Sequence, residues 1–163
     1  MHEVKIMFKI GDYAVCPGHG VGQVCDIETR EVGAEEKSFY IIKIVTNGMT
    51  VMVPTDSENG ARTLVGMPEI SEVYDLLKDH EVEVDNSTWN RRYRDYMGKI
   101  KTGSLLEIAD VLRSLFLLRL KKNLSFGEKK MLEQCRHLLA QEISISNGDD
   151  IKSVEDKLNN CFN

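Results

Sequence analysis

Residues 87–101 read STWNRRYRDYMGKIK and hold the chain's only tryptophan. Arg91, Arg92, Arg94, Lys99 and Lys101 stand there against a single acid, Asp95. Cationic side chains beside aromatic rings suit two contacts, ion pairs with phosphates and stacking on bases. The ligand class they point to is a polyanion, with nucleic acid the first candidate. A helix with a solvated basic face and an aromatic inner edge has the same composition. At 100° per residue from Trp89, residues Tyr93, Tyr96, Met97 and Ile100 fall within about 80° of it. Trp89 therefore either belongs to an apolar stripe or, placed at the helix start after 85–88, projects from its end. The residues leave both open.

Other chemistry finds little support. The segment GHGVG at 18–22 is rich in glycine, but it is not GxGxxG and no Gly-Lys-Ser/Thr follows. A strand follows instead of a helix whose N-terminus could hold a phosphate, so the glycines read as a tight turn with positive φ. Cys16, Cys25, Cys135 and Cys161 are scattered, as are His2, His19, His80 and His137. Without close ligand pairs a structural zinc is not expected, and the thiols read as free in a reducing compartment. There is no GxSxG, HExxH or paired-carboxylate motif, so the chain is not expected to be an enzyme or to need a cofactor or metal.

Charge is unevenly distributed. The net formal charge of −5 hides a basic segment. Residues 88–142 carry twelve Lys and Arg against six Asp and Glu, and the remainder carries nine against twenty. Such a split suggests two surfaces with different partners. The acidic excess weakens binding to free DNA unless another partner delivers the protein to it. The N-terminus is not a secretory signal, and the greasiest run, 112–120, is too short to span a membrane. The expected location is the cytoplasm.

The elements that position these residues fall into two sets. Residues 8 to about 65 read as short strands rich in Val, Ile, Tyr and Phe, with turn signals at 17–20, 32–34 and Asn47-Gly48. Asn47-Gly48 marks a hairpin joining 39–45 to 50–54. Val15, Val21, Val24, Ile27, Tyr40, Ile42, Ile44, Val51 and Val53 would fill a small SH3-like barrel, although alternation around Cys25 is not clean. A polar connection follows at 56–66. Helices are expected at 68–79, 88–101, 105–122, 126–146 and near 150–161. Pro68 suits a first helical turn, and Ser104 with Glu107 and Ser125 with Glu128 match the capping box. Ile108, Val111, Leu112, Leu115, Leu118, Met131, Leu132, Leu138, Leu139 and Ile143 would form a bundle core. The fold class is α+β, a β-barrel at 1–66 followed by an all-α bundle at 67–163.

Four stretches together resemble the CarD/CdnL family of bacterial transcription regulators: FKIGDYAVCPGHGVGQVCDIETR, TVMVP, TWNRRYRDYMGKIKTG and LSFGEKKMLEQCRHLLAQE. The resemblance runs from residue 7 to about 159. It implies a Tudor-like N-terminal domain that binds the RNA polymerase β subunit, in part by edge-strand pairing through Thr50, Val51, Met52, Val53 and Pro54. Arg30 matches a basic residue implicated there, whereas Met52 stands where some members carry arginine. The resemblance further implies that the helical domain meets promoter DNA at the upstream edge of the transcription bubble. Trp89 would wedge at the opening duplex, with Arg91, Arg92, Arg94 and Lys99 as its basic contacts. The expected protein is a monomer, associated with the nucleoid through polymerase, that stabilises the open promoter complex without catalysis. An adaptor whose helical domain is only structural is the rival.

Overall fold

The computed structural model describes residues 7–56 and 60–163. His2 and part of the expected 56–66 connection lie outside the described residues. The chain divides into two compact units, Met1–Leu64 and Val65–Asn163.

The first unit is an antiparallel half-barrel of four strands in sequential order: β1 (Tyr13–Cys16), β2 (Gly20–Val32), β3 (Glu35–Ile44) and β4 (Thr50–Pro54). Gly18 and Gly20 take positive φ in the turn between β1 and β2, as the GHGVG segment suggested. Gly22 serves differently: a Cβ there would lie 2.4 Å from the Ile42 side chain, so only glycine lets β2 and β3 approach. The broken alternation in β2 is a bulge between Val24 and Asp26. The extra residue lets Val24 and Ile27, three apart, face the same core. That core holds Phe8, Ala14, Cys16, Val24, Tyr40, Ile42 and Ile44, with Ile27, Val51 and Val53 at its margin. Val15 and Val21 pair with each other and are buried, but they lie outside this cluster because alternation turns them to the opposite face. In the β3–β4 turn only Gly48 has positive φ. Asn47 acts through its side chain, whose Oδ1 accepts from the Met49 amide at 2.9 Å.

The second unit has α1 (Met67–Lys78), α2 (Trp89–Lys101), α3 (Leu105–Arg119), α4 (Phe126–Asn147) and α5 (Ile151–Asn160). α3 is buried on almost every side, as a helix apolar all round must be, and α1, α2 and α4 pack on it. It ends at Arg119, short of the expected 122. The Ser125 capping box is complete. At Ser104 only the hydroxyl's acceptance from the Glu107 amide is made, at 3.4 Å. Leu138 is half-buried, while the other expected core positions of α3 and α4 are buried. α5 packs on α4. Beyond it Phe162 stacks on Phe116 at 4.2 Å and on His80 at 5.2 Å, tying down the chain's end.

Candidate nucleic-acid and partner interfaces

Trp89 is the first residue of α2, directly after the extended cap residue Thr88. The local sequence explains this start. The Asp85 carboxylate accepts from the Ser87 amide at 2.8 Å, making a turn that the helix then leaves. That hydrogen bond holds the Asp85 carboxyl below its ordinary value, with Arg92 and Arg91 adding to the effect.

The indole is half-buried at the rim of the bundle core. Tyr93, one turn on, meets it edge-on at 5.7 Å, and Tyr96 is tilted against it at 6.4 Å. The Arg92 guanidinium lies 5.1 Å from the ring centroid, a cation–π distance. Gly127 of α4 closes the arrangement, since a Cβ there would come within 3.1 Å of the indole Nε1. The two alternatives for Trp89 are thus combined: it starts the helix, and part of its ring still packs.

Arg92 departs from its expected place. It is buried at 5 % exposure. Its Nε donates to the Ser87 carbonyl at 3.0 Å, and its Nη1 donates to Glu128 at 2.9 Å. A guanidinium so engaged is not presented to a phosphate. The helix turns that face inward because Glu128 would otherwise be a buried, unpaired carboxylate. Burial pushes the Glu128 carboxyl up, but the Ser125 amide and Arg92 outweigh it and hold the carboxyl below its ordinary value. Arg92 is therefore a positioning residue beneath Trp89.

Arg91, Arg94 and Lys101 are exposed, as is Tyr93. Lys99 is half-buried and pairs with Asp110, which also accepts from Arg113 at 2.8 Å. Desolvation opposes charge on Lys99 and Asp110 alike. The pairing prevails, so the ammonium is raised and the carboxyl lowered. Lys99 reaches solvent only in part and is already neutralised.

On the half-barrel, β4 is the open edge. β1 meets Arg62 through two backbone hydrogen bonds at Val15, of 2.8 and 3.0 Å, whereas β4 has no strand on its outer side among the described residues. Ile44 donates to Met49, and Thr55 donates to Ser38. Antiparallel pairs alternate, so the backbone groups of Val51 and Val53 face β3 while those of Thr50 and Met52 face outward. Met52 is exposed and lies on the same sheet face as the partly exposed Ile41 and Phe39. Arg30 alternates onto this face beyond Asp26 and Glu28, is exposed, and pairs with Glu28 at 3.0 Å.

Glu128, Gly127 and Asp110 were not singled out from sequence as parts of this site. The Ser125–Glu128 capping signal located Glu128, but nothing local joins it to Arg92, thirty-six positions away. Among the described residues no cluster of three or more His, Cys, Asp or Glu could hold a metal ion. Burial pushes the Cys16 thiol up to about 11 and the Cys135 thiol up to about 12, leaving both weak nucleophiles. Among the described residues no helix is long and apolar enough to cross a membrane.

Residues 8–65 match the model of the CarD-like/TRCF RID domain, and residues 72–159 match that of the CarD C-terminal domain. The chain is 32% identical over 151 residues to "Putative transcription factor YdeB" of Bacillus subtilis (strain 168), covering 91% of this chain and 98% of that protein. It also resembles the solved structure "CdnLNt from Myxoccoccus xanthus", at 40% identity over 40% of this chain and 94% of that one, with a TM-score of 0.32. With both domain models matched in order, and a relative aligned along nearly its whole length, the chain belongs to the CarD/CdnL family of transcription regulators.

Proposed function

We propose that this protein docks on the RNA polymerase β subunit through its half-barrel and stabilises the open promoter complex through its helical unit. The CarD-like/TRCF RID match and the open β4 edge support the first half. Thr50 and Met52 offer outward backbone groups, Val51, Val53 and Pro54 set the strand's inner face and end, and Arg30 adds charge on the same face.

The observation that carries the second half is the placement of Trp89. It opens α2 with its ring half-exposed, and Arg91 and Arg94 of the same helix are in solvent. An indole at the edge of an opened duplex replaces stacking lost there and hinders the strands from reclosing. The arginines hold phosphates without reading sequence, so promoter choice rests with polymerase. Arg92 seats the ring, and Lys99, already paired with Asp110, adds little charge of its own. The protein acts as a monomer and performs no catalytic step.

The half-buried indole favours a second reading, in which the helical unit is structural and the protein is an adaptor. Trp89→Ala separates them. One stacked aromatic contributes about 1–3 kcal/mol, so loss of the wedge shortens the open-complex lifetime by about five- to 150-fold with polymerase binding retained. An unchanged lifetime would leave the adaptor.

A further inference from the structure

α1 packs on α3 and α5 packs on α4, and between α1 and α5 the fold leaves a groove of about 530 Å³. Small-ligand sites are ordinarily about 300–1,000 Å³. Helical spacing puts one stripe of α1 along the groove, with Met67, Ile70 and Tyr74 as its apolar wall. Asn147 and Asn160 bring carboxamides to it from α4 and α5.

Its charges are separated along its length. Lys78 lies in the last turn of α1, and Lys157 lies one turn before Cys161, whose Sγ donates to the Lys157 carbonyl at 3.4 Å. Burial pushes the Cys161 thiol up, and the Lys78 ammonium opposes it from within electrostatic reach. The two cations thus stand at the Cys161 end. Asp149 follows the Gly148 cap of α4. Burial raises the Tyr74 phenol, and Cys161 and Asp149 add to the effect, so the phenol lies between the thiol and that carboxylate. Lys78, Lys157, Asp75 and Asp149 are all exposed at the groove. Among the described residues no hydrogen bond or ion pair engages these four side chains or the Tyr74 hydroxyl. Opposite charges line one groove without neutralising each other, which leaves both sets for a ligand.

We propose that this groove binds a nucleoside diphosphate. Lys78 and Lys157 meet the two phosphates. The base lies against Tyr74, Met67 and Ile70, with the Asn147 and Asn160 carboxamides able to donate to or accept from its edge. Asp75 and Asp149 accept from the ribose hydroxyls, as carboxylates do in dinucleotide sites. A simple anion would be repelled by these two carboxylates, and a purely apolar ligand would leave all four charges unmatched. Neither polymerase docking nor the Trp89 wedge is needed for such binding, because none of these residues belongs to either.

The test is isothermal titration calorimetry on the full chain with ADP, GDP, CDP and UDP, each compared with pyrophosphate and with its own nucleoside. At least one nucleotide is expected to bind one per chain, about tenfold or more tighter than either of its parts. Lys78→Met and Lys157→Met should each weaken it about tenfold, the effect of losing one charge-assisted bond. Thermal melting should be unchanged in both, since the two side chains are exposed. The matching 2′,3′-dideoxynucleotide should bind more weakly than the ribonucleotide, and the double variant Asp75→Asn with Asp149→Asn should erase that difference. Failure of all four nucleotides to bind overturns the proposal. So does pyrophosphate or a nucleoside binding as tightly as the whole nucleotide, the former leaving only an anion patch. Affinity unchanged in both lysine variants would put the nucleotide elsewhere and equally overturn it.

Discussion

Arg92 of α2 donates to Glu128 of α4 at 2.9 Å, and both side chains are closed off from solvent. The same arginine lies over the Trp89 ring, and the same glutamate accepts from the Ser125 amide to cap α4. The ring proposed to meet DNA therefore rests on an ion pair that also fixes the start of a second helix.

Removing one partner of this pair strands the other charge in the interior. Arg92→Ala is expected to destabilise the helical unit by about 3–5 kcal/mol, the usual cost of breaking a buried pair. The measurement is urea unfolding followed by helical circular dichroism, with emission from the sole tryptophan reporting ring exposure. A loss below about 1 kcal/mol, with unchanged emission, would show that the indole is seated by other contacts.

Acid should loosen the same region. The Glu128 and Asp110 carboxyls are held below their ordinary values of 4.5 and 3.8. A carboxyl that is more acidic in the fold than in the unfolded chain adds stability above its unfolded value, and that stability is lost as pH falls through the folded one. The urea midpoint should hold steady down to about pH 5 and decline below pH 4.5. Glu128→Gln should make the decline shallower while lowering stability at neutral pH. A decline equally steep in that variant would place the acid sensitivity elsewhere.

The open strand edge can be blocked without altering the sheet behind it. The Met52 amide points away from β3, so proline there removes no existing ladder bond. Met52→Pro should preserve thermal melting to within a few degrees yet abolish capture of the polymerase β subunit. Arg30→Glu should weaken capture while leaving β4 intact. Undiminished binding by Met52→Pro would rule out strand addition as the docking mode.

What could be read from sequence was local. The Ser125–Glu128 spacing, the stripe from Ile108 to Leu118 and the glycines at 18 and 20 each declare a short-range constraint, and each is met. The bulge at Cys25 was visible only as imperfect alternation, because its meaning depends on the register with β3. Arg91, Arg92 and Arg94 look interchangeable in the sequence. Only the approach of Glu128 distinguishes the buried one from the two in solvent.

Pro54 ends β4 and has no amide hydrogen to offer. On the outward side of the strand, complete donor–acceptor sets come only from Thr50 and Met52. A partner strand added there gains a handful of backbone bonds, each worth about 0.5–1.5 kcal/mol net. Contact that brief favours rapid exchange over permanent assembly. Under the proposed docking, occupancy of the partner would follow the concentration of this protein.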